Sequence, residues 1–148
     1  MSRRMLAPVA VVGVLAAALG LPAEAAPPPI TKTYTVTLLP FPNASWGSAC
    51  QEKSSIPSDH HEEFAAPAPG TLKVVMSDFQ GDFDGAIVDP KGKYLAASDN
   101  AAATPNTSPG IKETITYKVK KAQPLVIRVC NFLASPSAKV TYTFTFAK

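Results

Sequence analysis

The sequence predicts an all-β protein, a single antiparallel β-sandwich of about eight short strands. Three observations carry that expectation. After residue 30 apolar side chains recur at every second position, the period of a strand with one buried face. Beyond the N-terminal segment no stretch sustains the period of a helix. The prolines, 15 in 148 residues, fall mostly between the alternating runs, where they remove no ladder donor.

The first strand follows the stiff leader Pro27-Pro28-Pro29. Tyr34, Val36 and Leu38 point one way, and Thr33, Thr35 and Thr37 the other. Pro40 and Pro42 end this run. Residues 43–59 show no period and read as a long connection with Trp46 packed as a plug. Further on, Leu72, Val74 and Met76 face inward against Lys73, Val75 and Ser77. Gly81-Asp82-Phe83-Asp84-Gly85-Ala86-Ile87-Val88 reads as the next strand, closed by Asp89-Pro90-Lys91-Gly92. Asp first, Pro second and Gly fourth suit a type I turn. Residues 94–100 continue it, and residues 101–110 form a polar loop. Ile111, Ile115, Tyr117 and Val119 then alternate with Lys112, Thr114, Thr116, Lys118 and Lys120. Leu125, Ile127 and Val129 alternate with Val126, Arg128 and Cys130, and Val140, Tyr142, Phe144 and Phe146 with Lys139, Thr141, Thr143 and Thr145. One-sided strands bury their apolar sides by stacking as two sheets. The strand order does not follow from the pattern.

Residues 1–25 read as a cleaved signal peptide, so the chain is expected to be secreted. Arg3 and Arg4 precede an apolar stretch over residues 6–21, and Ala23-Glu24-Ala25 supplies the small-x-small site. Pro8, Gly13 and Gly20 interrupt the stretch, which falls short of the roughly 20 apolar residues of a spanning helix. No membrane span is therefore expected after cleavage. Ser2-Arg3-Arg4 leaves twin-arginine and general export both open. Cleavage takes the formal charge from +3 to about +2. That balance, with scattered lysines, argues against nucleic acid as a partner; Lys118, Lys120 and Lys121 are the only basic cluster. Cys50 and Cys130 are expected to form a disulfide, favoured over free thiols or a metal pair in an exported chain with no Cys-x-x-Cys.

Residues 62–146 carry a characteristic order of segments. Phe64 precedes a Pro69-Gly70 turn and the strand Thr71-Leu72-Lys73-Val74-Val75-Met76. Gly81-Asp82-Phe83-Asp84, Asp89-Pro90-Lys91-Gly92 and Ser98-Asp99-Asn100 follow, then Glu113-Thr114-Ile115. Leu125-Val126-Ile127-Arg128-Val129 with Asn131 and Tyr142-Thr143-Phe144-Thr145 complete the series. This order resembles the bacterial pre-peptidase C-terminal domain, a secreted jelly-roll-like β-sandwich. With the signal over residues 1–25 and the N-terminal strand and disulfide-tied connection over 26–61 read from the residues, the resemblance implies a family-like sandwich over 62–148. Residues 31–61 would fold with that sandwich as one domain. The chain departs from the family at Gly85-Ala86, where large residues are common, so a bulge or thinner strand is expected there. The resemblance further implies an accessory or binding module; a polymer or protein partner outside the cell, no catalysis and a monomer are expected.

Asp78, Asp82 and Asp84 are the densest carboxylate group and a candidate calcium site, which would make the chain a calcium-stabilised structural domain. The alternative is that they cap turns and accept backbone N–H bonds. No other cofactor is expected. His60 and His61 stand in the polar run Ser58-Asp59-His60-His61-Glu62-Glu63, read as an exposed loop; neighbours on an extended chain point opposite ways and would not share one ion. A third reading, a small secreted hydrolase using His60 or His61, lacks a Gly-x-Ser-x-Gly elbow. Asn43-Ala44-Ser45 and Asn106-Thr107-Ser108 match glycosylation sequons. The threonine rows 33/35/37 and 141/143/145 follow from β propensity, and could also present hydroxyls to a carbohydrate.

Overall fold

Eight strands account for the regular structure of a computed structural model that describes residues 26–40, 50, 59–98, 112–131 and 136–148. They are β1 (Ile30–Thr37), β2 (Asp59–Ala66), β3 (Gly70–Ser77), β4 (Phe83–Val88), β5 (Tyr94–Ser98), β6 (Glu113–Val119), β7 (Gln123–Asn131) and β8 (Ser137–Phe146). The export segment, Trp46, the 101–110 loop, Ile111 and the two sequons lie outside the described residues. Among the described residues no helix is long and apolar enough to cross a membrane.

The strands form two four-stranded antiparallel sheets, sheet I in the order β1-β8-β3-β6 and sheet II in the order β2-β7-β4-β5. Every connection except β4–β5 passes from one sheet to the other. That is the eight-strand jelly roll. It pairs strands far apart in sequence, β1 with β8 and β2 with β7, an arrangement that local alternation cannot reveal.

The alternation holds in β3, β6 and β8, whereas β4 is buried along its whole length. Leu72, Val74 and Met76 lie opposite Phe144, Tyr142 and Val140 on the inner side of sheet I. Phe83, Ile87, Leu125, Ile127 and Val129 answer from sheet II. Phe64 joins the layers, its ring 5.2 Å from that of Tyr142 and 5.5 Å from that of Phe144. The β4–β5 hairpin closes as its sequence dictates. Gly92 N–H donates to the Asp89 carbonyl at 2.9 Å, and Asp89 Oδ1 accepts from the Lys91 and Lys93 N–H groups at 2.8 Å each. Gly92 takes φ 82°, the left-handed position that follows a type I turn in a bulged hairpin.

Two expectations need correction. The histidine segment is not a loop, because β2 begins at Asp59 and pairs with β7 through its whole length. Its polar composition hides a strand whose hydrogen bonds come from a partner some 60 residues away in sequence. Of the bulge or thinner strand expected at Gly85-Ala86, the bulge is not there; the register shifts between Ile87 and Val88. Gly85 instead faces the core, where a Cβ would stand 2.6 Å from Met76 Cε and 2.7 Å from Ile115 Cδ1. The small residue lets sheet I approach.

Candidate functional site

The outward side of sheet I is built by register. Thr35, Lys139 and Ser77 form one row across β1, β8 and β3. Thr33, Thr141, Val75 and Thr114 form the next across all four strands. Thr31, Thr143, Lys73 and Thr116 follow, and Thr145, Thr71 and Lys118 complete the lattice on β8, β3 and β6. Rows recur about every 7 Å along the strands and columns about every 4.8 Å across them. Thr31 donates to Thr143 Oγ1 at 3.3 Å, and the Thr33 and Thr141 hydroxyls share a hydrogen bond at 3.0 Å. β-branched side chains are stiff about χ1, so these hydroxyls are held in place before anything binds.

No aromatic ring and no carboxylate stands in this lattice. Tyr34, Tyr117, Tyr142 and Phe146 all lie at the opposite, inward parity. Lys73, Lys118 and Lys139 are exposed. Among the described residues Asp78, just past β3, places its carboxylate 3.8 Å from Lys139 Nζ with both groups largely in solvent. An exposed pair of this kind contributes little. The usual reason for surface lysine, protecting an edge strand, covers Lys118 on β6. It does not cover Lys73 and Lys139, which sit on the central strands β3 and β8.

The outward side of sheet II differs. Cys50 and Cys130 are joined, with Cα atoms 5.6 Å apart, and Cys50 packs with Ala86, Val88 and Cys130 in a small second apolar cluster. Beside it Arg128 donates to Asp59 Oδ2 at 2.7 Å, and that oxygen also lies 3.1 Å from His61 Nε2. Arg128 and Asp59 are both buried side chains, at 3% and 6% exposure. This side is partly covered and cross-linked.

The remaining sequence candidates are dispersed. Asp84 is buried on the outward side of sheet II opposite Cys130, Asp82 is half-buried before β4, and Asp78 is exposed after β3. Asp78 adopts φ 58° and Gly81 φ 94°, the left-handed values that turn the chain from one sheet into the other. Among the described residues no group of three or more His, Cys, Asp or Glu side chains gathers as a metal-holding set. His60 and His61 do point to opposite sides of β2: the ring of His60 lies 5.5 Å from that of Tyr34, and His61 faces Asp59.

Two inward polar pairs escaped the sequence reading. Lys32 Nζ donates to Glu62 Oε1 at 2.5 Å where β1 and β2 close one flank of the sandwich. That bond raises the Lys32 pKa, and burial raises those of Tyr34 and Tyr142 alongside. Ser98 donates to the buried Glu113 carboxylate between β5 and β6. No family model matches the chain, and no curated protein matches it significantly.

Proposed function

We propose that this chain is a secreted, non-catalytic binding module that lays the outward side of sheet I against an extended polymer outside the cell. The observation that carries this reading is the four-strand lattice of exposed and half-buried hydroxyls and exposed ammonium groups, ordered by backbone pairing and with no carboxylate at its own register positions. A flat, preorganised array suits a long ligand better than a small one, which needs a concave pocket. The disulfide fits an oxidising compartment, and the signal features of residues 1–25 fit export. The two histidines face opposite sides of β2, His60 against the Tyr34 ring and His61 beside Asp59, so they do not converge on one site. The pre-peptidase C-terminal likeness belongs to the same proposal, as an accessory domain of that kind.

The test is retention of polymer from cell-wall and culture material on the immobilised protein, with sugar and phosphate analysis of what is held. The double variant T33E/T116E places two carboxylates on the lattice and is expected to release the polymer. K91E, on the β4–β5 turn, is expected to retain it. Equal retention by all three proteins would remove sheet I from the account.

A further inference from the structure

We infer that the polymer recognised by sheet I is an acidic polysaccharide, an extended glycan carrying carboxylates. This deepens the proposed function and rests on it. The three lysines of the lattice are not clustered. Lys118 lies in the row of Thr71, two residues along β3 from Lys73, and Lys139 in the row of Ser77, four residues the other way. Their ammonium groups therefore step diagonally across β6, β3 and β8, spread over about 20 Å along the strands. Threonine hydroxyls fill the intervals. A chain with anionic groups at intervals and hydroxyls between them is the complement of that pattern.

What the lattice lacks separates this ligand from other anions. Nucleic acid is gripped by aromatic platforms for bases and by arginine forks for phosphate, and neither occurs on this face. A protein partner needs a central anchor such as Trp, Tyr or Arg in a desolvated pocket, whereas the one apolar side chain here is Val75. A neutral glycan would have no ring to stack on and no use for lysines on central strands. Single ammonium charges and fixed hydroxyls suit carboxylates and sugar hydroxyls. Because the threonines are already ordered, little side-chain entropy is lost on contact.

The test is affinity electrophoresis and calorimetry of the disulfide-bonded protein against polygalacturonate, neutral dextran, duplex DNA and phosphatidylglycerol vesicles. Polygalacturonate is expected to bind most tightly, and its affinity to fall as salt is raised. The variant K73Q/K118Q/K139Q changes only exposed side chains, so its melting temperature should match that of the parent. Its affinity for polygalacturonate should drop about tenfold, while K91Q/K93Q binds as the parent does. Failure to bind polygalacturonate, or tighter binding to DNA or vesicles, overturns the inference. Binding to dextran that survives K73Q/K118Q/K139Q but is lost in T33E/T116E overturns the acidic ligand and leaves the sheet I binding face standing. Binding indifferent to both variants overturns the two together.

Discussion

Two glycines set how closely the layers and strands approach. A Cβ at Gly70 would run into the Thr145 carbonyl oxygen and the Phe144 ring; one at Gly85 would meet the flexible ends of Met76 and Ile115. Side-chain ends can shift and a ladder carbonyl cannot. Gly85→Ala is therefore expected to destabilise by about 1–3 kcal/mol through overpacking, and Gly70→Ala by more. Urea unfolding of both variants checks the order. Tyr34 offers the opposite test. Its hydroxyl is buried without a hydrogen-bond partner among the described residues, and burial pushes its pKa above the ordinary tyrosine value. The folded state thus favours the neutral phenol. Its contribution is complete below the unfolded pKa of about 10 and is lost as pH rises above that value. Tyr34→Phe should leave neutral-pH stability equal or slightly higher, since an unsatisfied polar group disappears. It should also flatten the alkaline fall of the melting temperature, read from pH 8 upward.

At the scale of the element, β2 is the informative case. Asp59-His60-His61-Glu62-Glu63 has neither apolar alternation nor high β propensity, yet it is a strand from end to end. Its outward Asp59 meets Arg128 of β7, and its inward Glu62 meets Lys32 of β1. The Asp59–Arg128 pair is buried, so removing one partner breaks a charge-assisted hydrogen bond away from water. Asp59→Ala or Arg128→Ala alone should cost about 3–5 kcal/mol, and replacing both with apolar residues of similar volume should recover much of it. A double-mutant cycle by denaturant unfolding measures that coupling. The Lys32–Glu62 pair is exposed at the lysine and should matter far less. β4 and β5 show the converse, a hairpin written locally. Asp89, Pro90 and Gly92 fix the turn without help from elsewhere, which is why this one connection was legible in full.

The whole molecule presents two unlike faces. Sheet II has part of its outward side closed by the Cys50–Cys130 bridge and the apolar cluster around it, whereas sheet I shows its hydroxyl lattice to solvent. The bridge spans 80 residues, from the connection after β1 to the end of β7. In the chain-entropy model such a closure contributes about 4–5 kcal/mol. Cys50→Ala/Cys130→Ala should lower the calorimetric melting temperature accordingly, and reduction of the parent protein should bring it to the same value. Binding through sheet I should outlast that loss at temperatures where the variant remains folded, because the bridge lies on the other sheet.

In the strands with clear apolar alternation, side-chain parity was determined by the sequence alone. Leu72, Val74 and Met76 inward, with Lys73 and Ser77 outward, follow from the two-residue period whatever the strand pairs with. The Asp89 turn and the cysteine pairing likewise needed only local chemistry and an even count. Tertiary structure decided the rest. That Thr33 stands beside Thr141, that Lys73 and Lys139 occupy central strands, and that Asp59 finds Arg128 are consequences of the order β1-β8-β3-β6 and β2-β7-β4-β5. A strand's period says which side of a sheet each residue takes. Only backbone hydrogen bonding between distant segments says which residues become neighbours on that side, and the candidate binding surface exists at that second level.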